Sequence, residues 1–192
     1  MPKVTFGNTW WGKQWLNALT DIDFDNRLPR GVSYARNGSV KSIMIKENKV
    51  AAKVQGSMPR PYTVGITIPL FKQVAKDATV EAITSNRLFL SHLMTRKLPP
   101  ELYDALVKKK VHLFPNKWGD LTAECSCPDW AVPCKHIAAV VYLIANEIDK
   151  NPFLVFALHG FDIFQALARH GFAREKIEKT PILSFESIIK HA

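Results

Sequence analysis

The sequence predicts an α+β protein, and two features of its hydrophobic pattern support that prediction. Apolar and polar residues alternate between residues 32 and 68, which indicates a small antiparallel β-meander. From residue 69 to about 110, and again over residues 137–148, apolar residues recur at helical spacing. Three cysteines lie just ahead of the second helical stretch, and there the pattern favours a β-hairpin–helix unit near the C-terminal end.

The first half of the chain predicts one helix, one loop and three strands. Trp11, Trp15 and Leu19 share a helical face over residues 9–20, where Asn8 or Thr9 is suited to cap the start. Residues 21–31 are rich in Asp, Pro and Gly and predict a loop. The predicted strands cover residues 40–45, 49–55 and 62–68.

One position breaks the strand pattern, because strict alternation puts Lys41 on the same face as the apolar Ile43 and Ile45.

The second half of the chain predicts mainly helices. The helical stretch after residue 69 divides into a short first helix, one or two further helices over 80–94, and another that Pro100 opens. Short strands are predicted at 113–115 and 121–123. Residues 137–148 form a strongly amphipathic helix, and two short helices follow at 152–159 and 163–170.

These elements suggest three regions: a basic α+β region over 1–112, the cysteine cluster with its helix over 113–149, and a helical extension over 150–192.

Composition and charge narrow the class of protein. The chain has 192 residues, 47% of them hydrophobic, and no apolar run long enough to cross a membrane. The first eight residues lack the apolar core of a signal peptide, and the number of cysteines is odd. We therefore expect a cytoplasmic protein that makes no membrane contact.

Basic residues are concentrated in one part of the chain. Residues 27–60 hold eight Lys or Arg and a single acid, Glu47. Such an excess is typical of a surface that binds a polyanion, although lysines that guard a sheet edge give a similar pattern. The candidates for phosphate contact are Arg27, Arg30, Arg36, Lys41, Lys53 and Arg60.

The cysteine cluster indicates a metal site. Cys125, Cys127, Cys134 and His136 offer three thiolates and one imidazole, which is the ligand count of tetrahedral Zn²⁺. In an extended segment Cys125 and Cys127 face the same side, while Cys134 and His136 lie at the start of a helix whose positive pole favours thiolate. Four protein ligands leave no open position for a substrate, so the zinc is expected to be structural.

Two other interpretations of the cluster stay open. The cysteines can be buried, reduced core residues, or they can hold an iron–sulfur centre, although all-cysteine ligand sets dominate such centres. The spacing C-x-C excludes the C-x-x-C pair of thioredoxin-type redox sites.

The pattern C-x-C-x(6)-C-x-H resembles the SWIM zinc finger, and several flanking passages are similar to bacterial SWIM zinc finger proteins. These passages are Trp10-Trp11-Gly12, Tyr34 to Val40, Val54 to Ser57 with Arg60-Pro61-Tyr62, and Asn151 to Leu154. The resemblance implies a non-enzymatic adaptor that binds nucleic acid, with DNA as the first candidate, or a Swi/Snf-type helicase ATPase. A pure protein-interaction module is the alternative.

Within the finger, Trp130 and Lys135 are added to the candidate nucleic-acid contacts, because an indole can stack on a base. Trp130 can equally pack over the zinc.

A nucleotide-hydrolysing enzyme is a weaker candidate. Residues 7–14 nearly match the phosphate-binding loop G-x-x-x-x-G-K-[ST], but Gln14 stands where a hydroxyl must bind Mg²⁺. We expect no catalytic site and no small-molecule substrate.

Overall fold

The computed structural model describes residues 5–21 and 27–172, and within these ranges it confirms the α+β prediction. In the described residues four antiparallel strands form one sheet in the order β1-β2-β3-β4, and there are eight α-helices. Buried and exposed residues alternate along β2, so one face of the sheet packs against the core. None of the described helices is long and apolar enough to cross a membrane. The strands are β1 (Val40–Lys46), β2 (Lys49–Val54), β3 (Tyr62–Thr67) and β4 (Thr122–Cys125). The helices are α1 (Trp10–Asp21), α2 (Gly31–Arg36), α3 (Gln73–Thr84), α4 (Arg87–Met94), α5 (Glu101–Lys108), α6 (Lys135–Lys150), α7 (Leu154–Ala157) and α8 (Ile163–Arg169).

Two predicted elements differ from the structure. The strand predicted at 113–115 does not form, and β4 pairs with the distant β3, with Cys125 opposite Val64. Local sequence cannot reveal this pairing because the partner strand lies about 60 residues earlier in the chain. Residues 31–36 form helix α2, whereas the sequence predicted the end of a loop at 31 and the start of the β-meander at 32. Part of the predicted loop (22–26) and most of the last predicted region (173–192) lie outside the described residues, and the three-region division stays a prediction.

A β-bulge explains the irregular pattern of β1. Val40 pairs with Val54 while Ser42 pairs with the preceding residue Lys53, so Lys41 is an extra residue in β1. The bulge shifts the alternation by one position. Lys41 is therefore exposed, whereas Ile43 and Ile45 pack against the core.

Helix α6 lies at the centre of the core, and most of its residues are buried. It contacts α1, α2 and the sheet. The indole nitrogen of Trp15 in α1 donates a hydrogen bond to the carbonyl oxygen of Val141 in α6, at 3.0 Å. Trp11 donates in the same way to the carbonyl of Leu98, at 2.9 Å. Trp11 and Trp15 are thus core residues, as their spacing predicted.

Helix α1 is capped by a carboxylate from α6. The oxygens of Asp149 accept hydrogen bonds from the backbone N–H groups of Asn8 and Thr9, at 2.7 and 2.9 Å, and from the Thr9 hydroxyl, at 2.7 Å. These N–H groups belong to the segment that resembles a phosphate-binding loop. An internal anion therefore occupies the helix start, where it stabilises the positive pole of α1.

The strand register divides the sheet into two ends. At one end Val40, Val54 and Tyr62 lie side by side, and the edge strand β4 ends towards them at Cys125, which pairs with Val64. At the other end Lys46 pairs with Lys49, which in turn pairs with Thr67. We call these the cysteine end and the Lys49 end of the sheet.

Close packing of α2 on α6 generates the first prediction. A methyl group on Gly31 would lie 2.5 Å from backbone atoms of Ala138 and Ala139. We expect Gly31→Ala to lower the free energy of unfolding by about 1–3 kcal/mol, because backbone cannot move aside as a flexible side chain can. Chemical denaturation measures this change. Gly119→Ala is the matched control, since its nearest neighbour is 3.9 Å away, and equal losses for both variants would contradict the packing argument.

A buried histidine generates the second prediction. The ring nitrogens of His159 lie 2.6 Å from the Pro69 carbonyl oxygen and 3.1 Å from that of Leu113, and the ring stacks on Phe71. Burial lowers the pKa of His159, while the two carbonyls oppose that effect. The unfolded chain therefore takes up a proton at a higher pH than the folded chain does. Stability should fall as the pH drops below about 6.5.

His159→Gln should remove this part of the pH dependence, which amounts to at most about 1.4 kcal/mol per pH unit. Denaturation curves at several pH values between neutral and mildly acidic provide the measurement. Zinc release on acidification affects both proteins alike. Identical slopes in the two proteins would show that His159 does not titrate on unfolding.

Candidate metal centre

The four predicted ligands converge at the cysteine end of the sheet. Cys125 is the last residue of β4, and Cys127 follows two positions later. Cys134 is the N-cap residue of α6, and His136 lies in the first turn of that helix. Their four ligand atoms all lie within 4.8 Å of one another, although the sequence spreads them over twelve positions.

The geometry fits a tetrahedral ion. Nδ1 of His136 lies 3.8 Å from the sulfur of Cys125 and 3.8 Å from that of Cys134. With Zn–S bonds of about 2.3 Å and Zn–N bonds of about 2.0 Å, the edges of a tetrahedron measure roughly 3.5–3.8 Å. Three soft sulfurs and one imidazole nitrogen are also the donor set that Zn²⁺ prefers. The four residues form a Cys3His set for one structural zinc ion, with Nδ1 as the histidine ligand atom.

The backbone after β4 orients the first two ligands. Ser126 continues the ladder beyond Cys125, because its N–H donates to the Thr63 carbonyl and its hydroxyl oxygen accepts from the Thr63 N–H, at 3.0 and 2.9 Å. This extended geometry turns neighbouring side chains to opposite sides. Cys125 and Cys127 consequently face the same side, as the C-x-C spacing predicted.

The thiols influence one another before any ion is considered. The Cys125 thiol donates a hydrogen bond to Cys134, which raises the pKa of Cys125 and lowers that of Cys134 to about 5. Backbone N–H groups of Ile137 and His136 at the start of α6 also lower the pKa of Cys134. Burial raises the pKa of Cys127. One sulfur thus carries a negative charge readily, and a bound divalent cation stabilises the thiolate form of the other two.

Aromatic rings hold the histidine ligand in place. The imidazole of His136 lies between the rings of Tyr34 and Tyr62, with centroid distances of 5.3 and 4.7 Å. Its Nε2 is buried and has no hydrogen-bond partner among the described residues. Gly56 lies against this ring, because a methyl group there would meet Tyr62 and would lie 3.0 Å from Nε2.

Sequence reasoning gave these three supporting residues no role, although Tyr34, Gly56 and Tyr62 fall in the flanking passages that carried the family resemblance. All three lie against the imidazole of the zinc ligand His136.

The zinc ligands also hold a short exposed loop. The chain between Cys127 and Cys134 carries Trp130, whose side chain is 88% exposed. The carboxylate of Asp129 accepts a hydrogen bond from the Ala131 N–H at 3.1 Å, and Ala131 is buried. Trp130 therefore does not pack over the zinc. The guanidinium carbon of Arg27 lies 5.7 Å from the centre of its ring.

The structure brings only some of the candidate basic residues into contact with the finger. Arg27 approaches Trp130, and Lys135 lies over the ring of Tyr34, at 5.1 Å. Lys41 and Lys53 lie at the cysteine end of the sheet by register, where Lys53 donates to the Thr63 hydroxyl and Lys41 to the Gly38 carbonyl. The remaining candidates are exposed on the neighbouring segments: Arg30 precedes α2, Arg36 ends α2, and Arg60 lies in the loop that leads to β3.

Comparisons with known proteins agree with this site. The family model of the SWIM zinc finger matches residues 110–145, which include all four ligands, and this confirms the resemblance for that segment. The chain is also 39% identical over 166 residues to the uncharacterized protein Rv2102 of Mycobacterium tuberculosis. That alignment covers 86% of this chain and 60% of the relative, so the chain spans less than two thirds of the relative's length. No solved structure matches the chain.

Loss of one ligand generates the third prediction. Cys134→Ser should abolish stoichiometric zinc binding and lower the melting temperature by about 10 °C or more, because the binding free energy of a structural zinc contributes directly to folding. Metal analysis of protein purified without chelators, together with thermal unfolding, measures both effects.

Asp129→Asn is the matched control for Cys134→Ser, since this neighbouring residue is not a ligand and asparagine keeps the hydrogen bond to Ala131. Unchanged zinc content in Cys134→Ser would contradict the assignment.

Proposed function

We propose that this chain is a zinc-stabilised, non-enzymatic adaptor that binds nucleic acid, with DNA as the first candidate, through the surface around its zinc centre. The finer family assignment, to SWIM proteins that associate with Swi/Snf-type helicase ATPases, is part of this proposal. The four protein ligands leave no open position on the zinc for a substrate, so in this proposal the zinc acts by holding the binding surface in shape.

The observation that carries the proposal is the exposed indole beside an arginine. Burying a tryptophan in the core normally releases free energy, so an indole that a metal-pinned loop holds 88% exposed suits contact with another molecule. An aromatic face with a neighbouring cation is the combination that single-stranded nucleic acid uses for base stacking and phosphate contact. Trp130 and Arg27 provide this combination.

Basic residues also lie at the same end of the sheet as the zinc centre. Lys41 and Lys53 are exposed at the cysteine end of the sheet, and Arg60 lies in the loop between Gly56 and Tyr62, both of which contact the ligand His136. The formal net charge of the chain is +9, so approach to a polyanion is favoured at low salt.

The fourth prediction tests the surface by charge reversal. We expect the double variant Lys41→Glu with Lys53→Glu to weaken binding of a fluorescein-labelled DNA oligonucleotide by about tenfold or more, and to reduce the slope of log K against log salt by about two. Fluorescence anisotropy over a salt titration, with single- and double-stranded probes, measures both quantities. Lys46→Glu with Lys49→Glu is the matched control, because these exposed lysines of the same two strands lie at the Lys49 end.

In the same assay Trp130→Ala should weaken binding of single-stranded DNA by about 1–3 kcal/mol, and Trp130→Phe should keep part of that binding free energy.

Equal effects of the two lysine pairs, or no measurable binding at low salt, would contradict the nucleic-acid proposal. The alternative is then a module that binds only protein. Co-purification of a Swi/Snf-type ATPase that survives nuclease treatment, together with no measurable DNA binding, would support that alternative.

A further inference from the structure

A second candidate binding surface lies at the Lys49 end of the sheet, away from the zinc. A groove of about 890 Å³ runs between the start of α3 and the segment 109–121 that leads into β4. Buried side chains of Ile68, Phe114 and Leu121 contribute to its lining, together with the ring of His159. This groove shares no residue with the zinc ligands or with the basic residues of the proposed nucleic-acid surface.

The groove exposes aliphatic side chains to solvent. Val74 on α3 is 79% exposed, and Leu70 just before α3 is 58% exposed. Single exposed aliphatic residues are common on protein surfaces. Two of them beside a concave apolar lining are typical of a surface that binds another apolar group.

The rim of the groove is positively charged. Lys72, Lys109 and Lys110 line it, and Lys109 pairs with Glu81 at 2.8 Å. Among the described residues neither Lys72 nor Lys110 forms an ion pair. The acid in the lining is Asp120, whose carboxylate accepts hydrogen bonds from the backbone N–H groups at 116 and 117, at 2.9 and 3.2 Å.

The start of α3 adds to this positive field. Lys72 is the N-cap residue of α3 and provides no side-chain cap, and the first turn contains no acidic residue. The first N–H groups of a helix and its positive pole favour a carboxylate, which this helix does not supply from its own first turn. Lys72 and the helix start therefore favour the same kind of ligand on one side of the groove, and Lys110 favours it on the other.

We propose that this groove binds a segment of a partner protein that combines acidic and aliphatic side chains. Aliphatic side chains of the partner contact Leu70, Val74 and the apolar lining, while its carboxylates bind Lys72, Lys110 and the start of α3. Nucleic acid is the weaker match, because the strongly exposed apolar side chains here are aliphatic and provide no stacking face for a base. An adaptor with this groove carries its protein site and its zinc-side surface at opposite ends of one sheet.

Selection from a phage-displayed random peptide library against the zinc-loaded full chain tests the proposal. We expect enriched peptides to place Asp or Glu beside Leu, Ile or Val. A fluorescein-labelled synthetic copy of the strongest peptide then gives dissociation constants by anisotropy. Val74→Glu and Lys110→Glu should each weaken its binding about tenfold, the order of loss that removal of one important interface contact causes.

Matched controls come from neighbouring surfaces. Leu88→Glu changes another strongly exposed aliphatic residue, on α4, and Lys108→Glu changes a lysine two positions from Lys110; neither residue lines the groove. Both controls should bind the peptide like the unaltered chain, and all four variants should keep their zinc content and their DNA affinity.

The proposal is overturned if the selected peptides are basic or uncharged, or if their binding is indifferent to Val74 and Lys110. It is also overturned if the groove variants change only self-association or DNA binding. Because the peptide assay involves none of the zinc-side residues, its failure and the failure of the nucleic-acid proposal are separate outcomes.

Discussion

The zinc ligands join two elements around which the rest of the fold packs. Cys125 ends a short edge strand, and Cys134 begins the central helix α6, so one ion fixes the angle between the sheet and the core helix. Three thiolates in one cluster repel one another, and a divalent cation between them offsets this repulsion. The strand, the helix start and the loop between them therefore gain order from the same bonds.

The zinc bonds at both ends of the loop also explain why the hydrophobic side chain of Trp130 is exposed to solvent. The loop between Cys127 and Cys134 is too short to form a core of its own, and its exposed Trp130 receives little packing from the chain. Fixing both ends of the loop removes the freedom that would otherwise let the indole fold inward. In the proposed adaptor, the role of the structural metal is to hold this exposed surface in shape.

The antiparallel register gives the sheet two chemically different ends, the cysteine end and the Lys49 end. At the cysteine end, a β-bulge at Lys41 turns this basic side chain away from the core without interrupting β1. The opposite end meets the start of α3, where aliphatic residues and lysines surround a groove. The two proposed binding surfaces, which differ in chemistry, therefore lie at the two ends of one small sheet.

The sequence by itself determined the ligand set, the α+β class and the course of most helices, because these depend on local spacing: C-x-C on an extended segment, and a helical stripe over 137–148. Only the tertiary structure decided which strand β4 pairs with, that Tyr34, Tyr62 and Gly56 surround His136, and that Asp149 caps α1. Each of these is a contact between residues far apart in the chain. Periodicity describes the faces of an element, whereas the packing of the whole chain determines what those faces meet.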